Sequence, residues 1–433
     1  MGISRTEILP GVFLNHLESK KFKTSFLSVS LLTQLSRETA SMNALIPFVL
    51  RRGTRSYPDM ERLAMRMDEL YGTAIEPAVR RFGEIQATGF LASFPEADFL
   101  PAGSGILEDC ISLIAELLIA PVTRGGLFLP DVVESEKEKL CDIIRSRVND
   151  KRGYALTRCM EEMCCFEDFA VGRLGSVEDC EAINYKKLTK QYHTLLQSSP
   201  VEIFYCGRAD RKTLAALLKD ALCTLPRGEI DYDIGTDIRM NAVNAEPRFF
   251  EESLDVTQGK LCIGFRLGEC MEDPDFAALY VFNAVFGSGV NSKLFVNVRE
   301  RLNICYYASS ALNLHKGLLF VNSGIEFDKF DLAKDEILRQ LEEIRLGHVS
   351  EDELAFAKAG VSSDMAAMVD CEPDLEGFYL SNIVEGLDFS PEEMAELVRD
   401  VSLDDVVAVA NSVECDLIYF LKGEDGDDED DED

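Results

Sequence analysis

Apolar positions fall into the same succession of elements twice along the chain. Near the start of each half a short run reads as a buried strand, KTSFLSVSLL at 23–32 and KLCIGFRLG at 260–268. Each run feeds an apolar helix, MNALIPFVL in the first half and FAALYVFNAVFG in the second. Farther on, ILEDCISLIAELLIAP and AKDEILRQLEEIRLG carry apolar residues at helical spacing. The halves also close alike, on SVEDCEAINYKKLTKQYHTLLQSSPVEIFYCG and SPEEMAELVRDVSLDDVVAVANSVECDLIYFLKG. Both read as a short helix, a longer helix and a strand ending in glycine. Ser176, Ser390 and Ser402 stand where helix N-caps are expected, each with an acidic residue three positions on. The offset is roughly 215 residues, half the chain, which indicates duplication rather than a solenoid of short repeats.

The pattern predicts an α+β chain of two similar domains. The expected boundaries are 1–228 for the first domain, 229–247 for a linker, 248–423 for the second domain and 424–433 for a tail. PRGEIDYDIGTDIRMNAVNAEP, at 226–247, has the composition of a loop. Within the first apolar helix, NALIPFVLRRGT at 43–54 carries Pro47. Proline lacks an N–H and crowds the preceding turn, so the pattern predicts a first turn at Pro47 with Asn43 as the cap ahead of it.

Charge narrows the functional classes. The 433 residues carry a net charge of −33. The final EDGDDEDDED supplies nine of those charges and cannot bury apolar surface, so it is expected to be disordered. The remainder is still strongly acidic, which disfavours nucleic acid as a partner because phosphate contact needs a basic face. No run approaches the roughly 18 apolar residues of a membrane span, and no secretion signal is evident. A cytoplasmic location is expected. The 13 cysteines are scattered through predicted helices and strands and contain no CxxC pair, which fits buried free thiols better than a metal site. FGSGVNSK has neither the spacing of a phosphate loop nor a dinucleotide fingerprint. Gly287 and Gly289 are expected to let a helix end turn tightly.

Two stretches carry a family resemblance. GSGVNSKLFVNVRERLNICYYASS, at 287–310, is similar to the C-terminal motif of the M16 family of insulinase, pitrilysin and mitochondrial processing peptidase. That motif has a glycine-containing turn, Ser-Arg-Leu-Phe, Val-Arg-Glu and a tyrosine seven positions after the arginine. Arg299 and Tyr306 have this spacing. RRGT followed by DMERLAMRMDELYG resembles the segment after the family's zinc helix. The resemblance covers nearly all of the chain except the tail and is strongest to bacterial two-domain members that work in pairs. One such bacterial subgroup is associated with modification of elongation factor P, an association that comes from the resemblance alone. The implied fold is two homologous α/β domains, a duplicated M16/LuxS-like metallohydrolase fold, each a mainly antiparallel sheet with helices packed on it.

The family's zinc helix carries His-x-x-Glu-His. Two histidines four apart share a helical face and hold the ion, the glutamate activates its water, and a distal glutamate completes the set. Here the histidine positions fall on Asn43 and Pro47, the base position on Ile46, and the distal position at about Ile143. The resemblance therefore implies a chain with no intact catalytic set and no cofactor, zinc being expected only in an active M16 partner. Carried over residue by residue, Arg299 and Tyr306 match the pair that reaches the peptide or protein substrate from the opposite domain. The expected function is that of a non-catalytic subunit in a heterodimer, completing the partner's site in trans. A scaffold or binding protein of the same fold, with no role in proteolysis, is the alternative. Leu294, Phe295, Val298, Leu302 and Cys305 have helical spacing and are expected in the core, with Tyr307 facing away from Tyr306.

Overall fold

The structure, a computed structural model, describes residues 2–423. The acidic tail expected at 424–433 lies outside the described residues. Among them the chain forms two compact units. Within the described residues, unit 1 comprises 2–145, 171–236 and 368–391, and unit 2 comprises 146–170, 237–367 and 392–423. The passage between the units at 236–237 falls inside the segment expected as a linker.

Unit 1 is organised on strands β1 (Ser4–Leu9), β2 (Val12–Glu18), β3 (Thr24–Gln34), β4 (Ala74–Phe82), β5 (Ile85–Pro95) and β8 (Val201–Gly207). A small ribbon of β6 (Thr123–Arg124) and β7 (Leu127–Phe128) stands apart. The sheet order is β1-β2-β8-β3-β5-β4, antiparallel except for the β2/β8 pair. β3 is buried along most of its length, which is why it reads as a continuous apolar run rather than an alternating one. Helices Ala40–Leu50, Ile106–Ile119 and Tyr185–Ser198 supply much of the core laid on this sheet.

Unit 2 repeats the arrangement with β9 (Arg248–Leu254), β10 (Gly259–Arg266), β11 (Cys305–Asn313), β12 (Leu318–Ile325) and β13 (Glu414–Gly423). Its order is β11-β12-β10-β13-β9, with only β13/β9 parallel. Laid over the first sheet, β9, β13, β10, β12 and β11 take the places of β2, β8, β3, β5 and β4. The duplication expected from the sequence is therefore present in strand order and pairing sense, and the α+β fold is the one observed. Ser176 and Ser402 cap their helices, accepting from the backbone N–H of Asp179 and Asp405.

Each unit also contains a helix from the other half of the sequence, a feature absent from contiguous domains at 1–228 and 248–423. In unit 2, helix Lys151–Met163 and the turn after it pack on β10 and β13. In unit 1, helix Glu372–Glu385 packs on β3 and β8. Both segments carry a glutamate into a buried ion pair. Glu376, 1% exposed, accepts from Ser28 Oγ and Arg80 Nη2, each at 2.7 Å, and also pairs with Arg80 Nη1. Glu167 accepts from Arg266 Nη2 at 2.7 Å and pairs with Lys316 at 2.8 Å, and Asp416 takes Arg266 Nε at 2.9 Å. Arg266 and Lys316 are fully buried.

Candidate functional site

Helix Ala40–Leu50 follows a turn in which Ala40 N–H donates to Ser36 C=O at 2.9 Å. It begins earlier than Pro47, which corrects the expected first turn and the role of Asn43 as a cap. Thr39 is the residue ahead of the helix, and Asn43 is helical, its N–H donating to Thr39 C=O at 2.8 Å. Pro47 sits inside the helix and removes one backbone bond. Nine of the 11 helix residues are buried, and this packing offsets the lost bond.

The chemistry at the positions expected to match the zinc ligands is that of a closed core. Asn43 has no exposed surface. Its Nδ2 donates to Gln86 Oε1 at 3.0 Å and Thr33 Oγ1 at 3.3 Å, and its Oδ1 accepts from Gln191 Nε2 at 2.8 Å. Gln86 in turn donates to the carbonyls of Ala40 and Arg173 at 3.0 and 2.7 Å. Ile46 and Pro47 border a void of about 10 Å³ walled by Leu31, Leu50, Phe90 and Tyr192. Such an apolar gap is at the lower limit for one water and offers it few partners. Ile143 lies on helix Pro130–Ser146 and is 45% exposed. An amide, an isoleucine and a proline do not fit zinc, which needs imidazole, thiolate or carboxylate donors. Among the described residues no three His, Cys, Asp or Glu side chains form a group able to hold a metal ion. His16 Nε2 donates to the Ala209 carbonyl at 2.8 Å, and His348 Nδ1 meets Glu343 at 2.8 Å, each engaged within its own unit.

Gln86 and Gln191 leave no signal in the sequence, because a glutamine in a strand or on a helix carries no motif. Asn43→Leu keeps the branched outline of the side chain, though bulkier, and strands Gln86 Oε1 and Gln191 Nε2. It is expected to lower stability by about 1–3 kcal/mol, read from the urea midpoint, and an unchanged midpoint counts against the network.

The second candidate region lies in unit 2. Residues 284–288 and Leu294–Arg301 are wound as π-helix, a rare geometry with five-residue hydrogen bonds. Gly287 is required for close approach rather than for a turn, since a Cβ there would lie 2.6 Å from Ser310 Oγ. Lys293, buried, ties the following loop to helix Glu351–Met368 through Glu353 at 2.9 Å. Leu294, Val298 and Cys305 are buried as expected and Phe295 is half-buried, but Leu302 is 42% exposed. The wide π winding and the turn through Asn303, at φ 51°, take Leu302 off the buried face.

Arg299 stands exposed on this helix, its guanidinium 4.6 Å over the Phe295 ring. The helix leads into the edge strand β11. There Cys305 pairs with Ile325 and Tyr307 with Gly324, so Tyr306 is the extra residue of a β-bulge. A bulge re-aims one side chain at a sheet edge, and Tyr306 is 63% exposed. Tyr307 is half-buried beneath the Arg152 guanidinium at 4.3 Å, and burial pushes its hydroxyl up to about 12. Burial raises the Cys305 thiol, and a hydrogen bond with Ser323 and the charge of Arg299 partly lower it. The structure thus brings Arg299 and Tyr306 to one corner of unit 2, both exposed.

Residues 182–361 match the family model described as the peptidase M16 inactive domain. The probable inactive metalloprotease YmfF of Bacillus subtilis is 30% identical over 418 residues, covering 96% of this chain and 97% of that protein. A conserved protein of Enterococcus faecalis V583 has a crystal structure that superposes with a TM-score of 0.87 at 28% identity, over 98% of this chain and 99% of that one. The structure of a peptidase M16 inactive domain from Pseudomonas fluorescens, at 16% identity, shares the fold with a TM-score of 0.79 over 98% and 99% of the two chains. Among the described residues no helix is long and apolar enough to cross a membrane. With likeness along almost its whole length to a probable inactive relative, the chain belongs to the M16 peptidase family as a degenerate, non-catalytic member.

Proposed function

We propose that this chain is the non-catalytic half of an M16-type peptidase pair, and that it helps bind a peptide or protein substrate at a zinc site carried by its partner. The observation that supports this most is the contrast between its two candidate regions. Helix Ala40–Leu50, expected to match the zinc helix, is closed core, whereas Arg299 and Tyr306 are exposed on a π-helix and a bulge. A surface tyrosine whose hydroxyl has no partner among the described residues is available to donate to a peptide carbonyl and to the oxyanion that develops from it. A guanidinium stacked on Phe295 is held ready to orient the substrate chain.

Co-purification from the native cell tests the pairing. The expected result is a second M16 chain bearing an intact His-x-x-Glu-His helix, and peptide cleavage by the pair that neither chain gives alone. A complex that forms without any gain in cleavage favours the scaffold reading. Recovery of the chain by itself removes the basis for both.

A further inference from the structure

On the reading that the corner of Arg299 and Tyr306 meets substrate, we propose that this substrate is an acidic peptide. It lies extended along the free edge of β11, its carboxylates reaching Arg299 on one face of the sheet and Arg152 on the other. Among the described residues β11 is the last strand of its sheet, with a neighbour on one side only. Such an edge leaves backbone N–H and C=O groups unpaired and accepts an added strand. Ser310 Oγ donates to Asn283 Oδ1 at 2.6 Å, and a Cβ on Gly287 would fall 2.6 Å from Ser310 Oγ and 2.7 Å from Leu294. The segment that carries Arg299 therefore covers the face to which Ser310 points. Successive strand residues point to opposite faces. Ser309 accordingly meets the other face, where Arg152 Nη2 donates to its Oγ at 3.0 Å and the guanidinium lies 4.3 Å from the centre of the Tyr307 ring.

The charge at this edge runs against that of the chain. The sequence has 77 acidic and 44 basic residues. Yet among the described residues Arg152, Lys260 and Arg299 pair with no carboxylate. Lys260 stands in the same row as Tyr307, both paired with Gly324, and its Nζ donates to Gln258 Oε1 at 2.5 Å. Burial and the charge of Arg152 hold its ammonium below the ordinary value. Asp150, whose charge reaches Tyr307, is engaged in capping helix Lys151–Met163 through the Gly153 N–H at 3.1 Å. Cations gathered without counter-charge favour an anion and repel another cation. Arg152 and Arg299 are both exposed, and a guanidinium matches a carboxylate with paired hydrogen bonds. A strand added to β11 turns successive side chains to alternate faces, so acidic residues an odd number of positions apart reach both arginines.

Fluorescence anisotropy on the full chain, with no partner present, tests the site. The probe is a fluorescein-labelled eight-residue peptide of threonine and valine with glutamate at its third and sixth positions. Saturable binding is expected, at least about fivefold tighter than for the same peptide with glutamine in place of glutamate. Methylating two adjacent backbone nitrogens at the centre of the probe keeps its charge and blocks both of its edges, and is expected to abolish binding. Arg152→Gln and Arg299→Gln are each expected to weaken the glutamate probe about threefold and to leave the glutamine probe unchanged. Equal binding of the two probes overturns the proposal, and so does binding indifferent to methylation. Absence of binding at millimolar concentration also overturns it. The comparison of probes needs no variant and stands even where a variant fails to fold. Cleavage by a reconstituted pair with no preference for the glutamate probe overturns the acidic substrate and leaves the pairing intact. Preference for that probe by the isolated chain, with no cleavage by any pair, supports the edge site and removes the proteolytic role.

Discussion

Tyr306→Phe is expected to lower kcat of the reconstituted peptidase pair by about 10²- to 10³-fold, with KM changed little, which is the loss typical of one oxyanion donor. The substitution removes a single hydroxyl from a 63% exposed ring, so the fold and the assembly are expected to survive it. Arg299→Ala is expected to act differently. A group that holds the substrate chain equally in ground and transition states raises KM more than it lowers kcat. Arg299→Lys restores little of this, because a point charge reproduces neither the planar fork nor the stacking on Phe295. Tyr307→Phe is the control, its hydroxyl belonging to a ring packed under Arg152. Turnover by intact pairs that is indifferent to both Tyr306→Phe and Arg299→Ala refutes the role in trans.

Glu167→Gln is expected to destabilise unit 2 by about 3–5 kcal/mol, because Arg266 and Lys316 are then left buried with an excess of positive charge. Replacing a buried ion group together with its partners by apolar residues is far milder, which separates the cost of a stranded charge from the worth of the bond. The loss has a pH signature. Burial by itself pushes the Glu167 carboxyl up, but hydrogen bonds from Arg266 and Lys316 outweigh it and hold the group below its ordinary value of 4.5. A depressed carboxyl contributes stability that is fully present above the ordinary value and is lost as pH falls through the folded one. The gap in urea midpoint between the parent and Glu167→Gln is therefore expected to be widest near neutrality. It narrows once pH drops below about 4.5. A gap that is constant with pH would show that the carboxylate charge is not what binds the segment 146–170 to β10.

The strands at 23–32 and 260–268 were legible because a buried strand leaves an unbroken apolar run, and the observed β3 and β10 cover them closely. The caps at Ser176 and Ser402 were legible because capping is a contact between residues three apart. That Ile46 and Pro47 cannot ligate zinc was legible because isoleucine and proline side chains lack donor atoms in any fold. The network around Asn43 was not. Asn43 meets Gln86 and Gln191 only after a strand and a helix distant in sequence have packed around it. The winding at Leu294–Arg301 was misread for a related reason. The apolar spacing fits an α-helix, and the close seat of Gly287 on Ser310 belongs to the packed π segment.

By itself the sequence determined the duplication, the strands that open and close each half and the lack of donor atoms at Ile46 and Pro47, since all three follow from local periodicity or from the chemistry of single side chains. Only the tertiary structure decided which sheet each helix covers. Lys151–Met163 and Glu372–Glu385 each bury one face, and spacing alone names no sheet for it. Their placement rests on Glu167 meeting Arg266 across 99 residues and Glu376 meeting Arg80 across 296. Contacts of that span follow from chain closure and the burial of paired charge, neither of which leaves a mark on neighbouring residues.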